Sequence, residues 1–118
     1  MTAPVLLHNP RCSKSREALA LLQAHGVEPD IVRYLETPLD AAGLKKLIKQ
    51  LRLPARALLR TGEDACKTLG LADPGLGDDA LIAAMAAHPI LIERPVFIRN
   101  GRAVIGRPPE RVLELLGD

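Results

Sequence analysis

The sequence predicts an α/β fold, a mixed sheet of about four strands ordered β-α-β, helical insert, β-β-α. Two observations carry this expectation. Near the start, two short apolar runs flank an amphipathic run. That pattern is a β-α-β unit, with parallel strands and a right-handed crossover. Near the end, Val96-Phe97-Ile98-Arg99 and Arg102-Ala103-Val104-Ile105 flank Asn100-Gly101, the strongest short-range hairpin signal.

The elements follow in order. Val5-Leu6-Leu7-His8 reads as a short buried strand, punctuated by Asn9-Pro10. A helix follows, starting either with Asn9 as cap and Pro10 in the first turn, or near Cys12 and Ser13. Ala18, Leu19 and Leu22 form its apolar stripe, and Gly26 suits its end. Asp30 to Leu35 reads as the second strand. Leu44, Leu47, Ile48 and Leu51 then fall at helical spacing, with Lys45, Lys46, Lys49 and Arg52 on the opposite face and Pro54 as the stop. Ala57 to Arg60 fits a single turn closed by Gly62. Glu63 to Leu69 fits a weaker helix ending at Gly70. Asp73-Pro74-Gly75 is a turn, and Asp78 is placed to cap a helix carrying Leu81, Ile82 and Met85. After the hairpin, Gly106-Arg107-Pro108-Pro109 breaks the chain before a last helix with Val112, Leu113 and Leu116.

Composition narrows the function. The chain has 118 residues, enough for one domain, and 47% of them are hydrophobic. A net charge of +2 is too small to argue for a polyanionic partner. One Tyr, one Phe and no Trp leave little to stack on bases, so nucleic acid is not expected. No apolar run approaches a membrane span, and the start is too short in its apolar part for a signal peptide. A cytoplasmic setting follows, in which thiols stay reduced. Two Cys and three His, widely spaced, match no zinc pattern.

The chemistry gathers in HNPRCSKSR, residues 8–16. Cys12 lies in or beside the first helical turn, with Arg11, Lys14 and Arg16 close in sequence. A helix N-terminus and nearby cations can lower a thiol pKa from about 8.5 into the range of roughly 3.5–7.5. His8, at the end of the first strand, is placed to face the same corner and to contribute when protonated. Such a thiolate suits sulfur chemistry on an anion. The motif is C-S-K-S, so Ser15 occupies the place of a resolving thiol. The cycle must therefore finish with an outside thiol or with Cys66, and Cys66 reads as structural because no basic cluster surrounds it. Arg60, Arg94 and Arg107 sit at breaks between elements. Arginine's planar fork grips tetrahedral oxyanions, although a solvated surface charge is the default for any one of them. Arg94-Pro95 opens a strand, a position where proline is tolerated.

The strand–Cys–helix start, the Arg-Pro before a hairpin and the closing helix resemble a thioredoxin-like domain. HNPRCSKSR, YLETP, RALLRTGE, HPILIERPV and IGRPPE, in one order and register from His8 to Glu110, resemble the glutaredoxin-dependent arsenate reductase family. The loop with Arg11, Ser13, Lys14 and Ser15 resembles a chromosomal-type branch. The resemblance implies one domain over residues 1–118, with a core at 1–36 and 90–118 and a helical insert over about 37–89. It implies Cys12 as the nucleophile toward arsenate and His8 as the residue that helps lower its pKa. Arg60, Arg94 and Arg107 become the holders of the oxyanion, and Pro95 a cis-proline facing the thiol. It further implies a monomer with no bound cofactor, glutathione as co-substrate, and glutaredoxin as the reducing partner in arsenic detoxification. Two other readings stay open: a thioredoxin-like regulator that binds RNA polymerase, and a general monothiol reductase acting on glutathione mixed disulfides. Ser15 speaks against a dithiol switch in the first, and the second has no use for three arginines.

Overall fold

Val5–Leu7 (β1) and Asp30–Val32 (β2) pair in parallel, Val5 opposite Asp30 and Leu7 opposite Val32. Ser13–Ala24 (α1) connects them. The β-α-β unit read from the sequence is thus present in this computed structural model, which describes residues 4–116. β2 is shorter than the expected strand to Leu35. The Arg33 carbonyl accepts the amides of both Glu36 and Thr37 at 2.9 Å, so the chain turns where the sequence reads as strand.

Val96–Arg99 (β3) and Arg102–Ile105 (β4) form the expected hairpin, with Asn100 at φ 53° and Gly101 at φ 76°. Both central residues lie at positive φ, as a two-residue turn with the right twist requires. β3 runs antiparallel to β1, which gives the mixed order β2-β1-β3-β4. The closing element, Pro109–Leu115, is a 3₁₀ helix that packs on α1 and β4. Leu6, Ala18, Leu22, Phe97, Val104 and Val112 are all buried and form one core between sheet and helices.

Of the two starts open for the first helix, the structure takes the later. Cys12 is its N-cap, with extended backbone (φ −96°, ψ 123°). Gly26, at φ 79°, turns the chain out of the helix.

Pro38–Glu93 forms a compact unit of its own, and the chain up to Thr37 and from Arg94 forms the other. Within Pro38–Glu93, Ala41–Leu51 (α2) is capped by Asp40, whose carboxylate accepts the Gly43 amide at 2.7 Å. It ends at Arg52, in the left-handed region, before Pro54 is reached. Ala55–Leu58 (α3) lies two residues earlier than the expected turn at Ala57 to Arg60. Pro54 enters as the cap rather than as the stop alone, and the Ala57 amide donates to its carbonyl at 3.0 Å. Asp64–Thr68 (α4) holds Cys66. Asp78–Ala87 (α5) packs on α2 and α3. Asp78 is the first residue of α5 rather than its cap: Gly77 takes the cap position and no side chain closes that end.

Candidate active site

Cys12 sits where β1 hands the chain to α1, and the loop between them is tightly tied. The Cys12 amide donates to the Asn9 carbonyl at 3.0 Å, and the Asn9 side-chain oxygen accepts the Arg11 amide at 3.0 Å. Partial burial of Cys12 pushes its thiol pKa up. Hydrogen bonds from the Ser15 backbone, the Arg94 side chain and the Lys14 backbone oppose this, as does the Arg94 charge. The opposing effects win, and the pKa lies below the ordinary cysteine value. The orphan amides of a helix N-terminus are the physical source of much of that effect.

Arg107 is the second guanidinium at the sulfur. Its Nη2 lies 3.7 Å from Cys12 Sγ, and its Nε donates to the Arg94 carbonyl at 2.8 Å. The two arginines are therefore coupled: one fixes the backbone that presents the other. Arg94-Pro95 is cis, as the resemblance implied, and Arg107-Pro108 is cis as well. The Gly106 amide donates to the Pro95 carbonyl at 2.8 Å. A Cβ on Gly106 would come within 2.8 Å of Pro95 Cγ and 3.1 Å of Val112 Cγ1. Only glycine lets this strand end approach Pro95 so closely.

His8 is charged differently from the expectation. It is 6% exposed, and its Nδ1 shares a 2.7 Å hydrogen bond with Ser15 Oγ. Burial first, then the charges of Arg33 and Arg16, push its pKa below the ordinary 6.5. The imidazole is therefore neutral at neutral pH and hydrogen-bonded to Ser15, rather than the protonated group expected.

Ser15 is the residue that sequence reasoning undervalued. From the sequence it fills only the place of a second thiol. It is fully buried, its hydroxyl accepts the Asn9 amide at 3.1 Å and engages His8, and its backbone bonds Cys12. The available signal is a serine in the first turn of a helix that follows a cysteine.

Arg60 belongs to the Pro38–Glu93 unit. Its amide donates to the Leu91 carbonyl at 2.7 Å, and Leu59 bridges Ile92. Its Nε lies 3.5 Å from Glu63 Oε1 and 3.8 Å from Glu93 Oε1. Two carboxylates thus attend this guanidinium, a setting the residue's position in the sequence did not suggest. Cys66 is 1% exposed, in keeping with a structural thiol. Among the described residues, no group of three His, Cys, Asp or Glu could hold a metal ion.

Comparison with known proteins places this arrangement. The family described as the ArsC family matches residues 7–115. YfgD of Escherichia coli K12, itself uncharacterized, is 58% identical over 113 residues, or 95% of each chain. An arsenate reductase of Neisseria meningitidis MC58 is 47% identical over 112 residues, covering 94% of this chain and 96% of the relative. The solved structure of an arsenate reductase from Vibrio cholerae matches with a TM-score of 0.92 at 54% identity. It covers 95% of this chain and 96% of that one. The fold is accordingly the thioredoxin-like fold of these structures.

Proposed function

The chain belongs to the ArsC family, and on that premise we propose that it is an arsenate reductase with Cys12 as its nucleophile. The observation that carries this reading is the environment of one sulfur. Cys12 meets the Ser15 and Lys14 backbone and the guanidinium groups of Arg94 and Arg107. Arsenate is an anion that a bare thiolate would repel. Preorganised cations and amides remove that repulsion and stabilise charge as it moves onto oxygen.

The cycle balances as follows. Cys12 thiolate attacks arsenic, an S–As bond forms, and one oxygen leaves as water after taking up protons. Glutathione condenses on the same arsenic with loss of a second water, and arsenic stays at As(V). A glutaredoxin thiolate then attacks the glutathione sulfur. The new S–S bond joins glutaredoxin to glutathione, and the electron pair of the broken As–S bond reduces As(V) to As(III). Water releases arsenite and returns the Cys12 thiol. Ser15 in place of a resolving thiol supports this dependence on outside thiols. His8 and Ser15 position the loop that presents Cys12. Pro95 borders the site through Gly106 and Arg94. Arg60 is proposed as a further oxyanion ligand from the resemblance alone.

The test is arsenate reduction by the purified chain with glutathione and glutaredoxin, glutaredoxin being omitted from a parallel sample. Cys12→Ser is expected to fall to background and Cys66→Ser to retain most of the rate. Turnover that does not depend on Cys12 would end the proposal.

A further inference from the structure

We propose that Glu63 and Glu93 are positioning residues for Arg60, holding its guanidinium through Nε so that its terminal nitrogens meet an oxyanion. This rests on the reading of Arg60 as an oxyanion ligand. All three residues lie in the Pro38–Glu93 unit, so the arrangement is fixed within one compact body.

The backbone sets it up. The Arg60 amide donates to the Leu91 carbonyl and the Glu93 amide to the Leu58 carbonyl, each at 2.7 Å, and Leu59 bridges Ile92 in antiparallel register. Arg60 and Glu93 are then diagonal neighbours on one face of that pairing, a separation that long side chains can span. Glu63 is brought back from the other side. It is the N-cap of α4, its amide donates to the Arg60 carbonyl at 3.3 Å, and its own carbonyl accepts the Cys66 amide at 3.0 Å.

The side chains follow. Arg60 Nε lies 3.5 Å from Glu63 Oε1 and 3.8 Å from Glu93 Oε1, and the three side chains are only 22–26% exposed. Ion pairs at that depth are screened less than pairs on open surface. Arg60 Nη1 is buried and has no hydrogen-bond partner among the described residues. Burying an N–H without an acceptor is costly, and a role at a reacting centre is one explanation of such an orphan. The acids thus occupy the Nε side, and Nη1 is the donor that an oxyanion oxygen would satisfy. Two acids beside an anion's ligand also repel the anion. Positioning outweighs this because both carboxylates engage the same nitrogen, and a long side chain already ordered loses less freedom when the ligand arrives.

The test is arsenate affinity, measured without turnover. Inorganic arsenate is titrated into the isotope-labelled full chain carrying Cys12→Ser, and amide and arginine Nε–H resonances are followed. Glu63→Ala and Glu93→Ala should each weaken binding about 10-fold, the cost of ordering one rotamer-rich side chain. Glu63→Gln and Glu93→Gln keep an acceptor for Nε and should recover most of that loss. With Arg60→Gln already in place, neither alanine variant should weaken binding further. The same spectra report whether each variant is folded. With Cys12 restored, the alanine variants should raise KM for arsenate and leave kcat nearly unchanged. Tighter binding in the alanine variants would show that the acids act by repulsion and would overturn the inference. Unchanged affinity, an equal loss in the glutamine variants, or a loss that persists with Arg60→Gln would do the same. If Arg60→Gln itself binds arsenate as well as the parent, the reading of Arg60 as a ligand falls and takes the inference with it. If Arg60→Gln binds weakly and the glutamate variants do not, the inference alone falls.

Discussion

Cys12 is activated by groups that are not its nearest cations in sequence. Lys14 pairs with Glu17 at 3.8 Å, and the Arg16 guanidinium donates to the Pro10 carbonyl at 2.9 Å. Those side chains have other partners. The Ser15 and Lys14 backbone and the distant Arg94 act on the sulfur instead. The basic run predicted an activated thiol for a reason only partly right, since a sequence lists side chains while a helix N-terminus works through amides. Arg94→Gln is therefore expected to raise the Cys12 pKa, read from thiolate absorbance against pH, whereas Lys14→Gln, which keeps the amide, should leave it nearly where it is. His8 yields a prediction of stability. Its folded pKa lies below 6.5, so the unfolded chain binds the proton more readily. The stability held by neutral His8 is complete above that value and is lost as pH falls through it toward the folded pKa. The melting temperature of the wild type should drop more steeply than that of His8→Gln over this acidic range. Equal pH profiles would contradict the assignment.

Elements whose boundaries depend on local chemistry were legible, and those decided by hydrogen bonds elsewhere were not. The hairpin matched residue for residue because Asn100-Gly101 permits only a tight turn. β2 ended early because the Arg33 carbonyl was taken by a turn. Arg60 left its expected helical turn for an extended stretch bound to Leu91, a pairing invisible to local pattern. Gly106 is the element-scale test of the site. Its close approach to Pro95 and Val112 leaves no room for a methyl group, since the 2.8 Å contact is with a proline ring that cannot swing away. Gly106→Ala should cost about 1–3 kcal/mol in denaturant unfolding and slow reaction of Cys12 with an alkylating agent, because Pro95 and the Arg94 backbone must move. In the core beneath, Leu22→Ala should cost about 2–5 kcal/mol without changing the Cys12 pKa, since Leu22 lies in the Leu6–Phe97–Val112 cluster.

At the scale of the whole chain, the order β-α-β, helices, β-β and a closing 3₁₀ helix keeps the thiol, Arg94 and Arg107 in one unit while Arg60 lies in the other. No helix among the described residues is long and apolar enough to cross a membrane. The fold class was legible because strand and helix periods alternate clearly at both ends of the chain. Convergence of Arg94 and Arg107 on a residue far away in sequence was not, because it depends on β1 pairing with β3. The reading as an arsenate reductase depends on Cys12 carrying arsenic. The most direct measurement is the intact mass of the protein after incubation with arsenate and glutathione in the absence of glutaredoxin. One arsenic–glutathione adduct per chain is expected, located on Cys12 and absent from Cys12→Ser. An unmodified protein, or an adduct that persists in Cys12→Ser, would contradict the account.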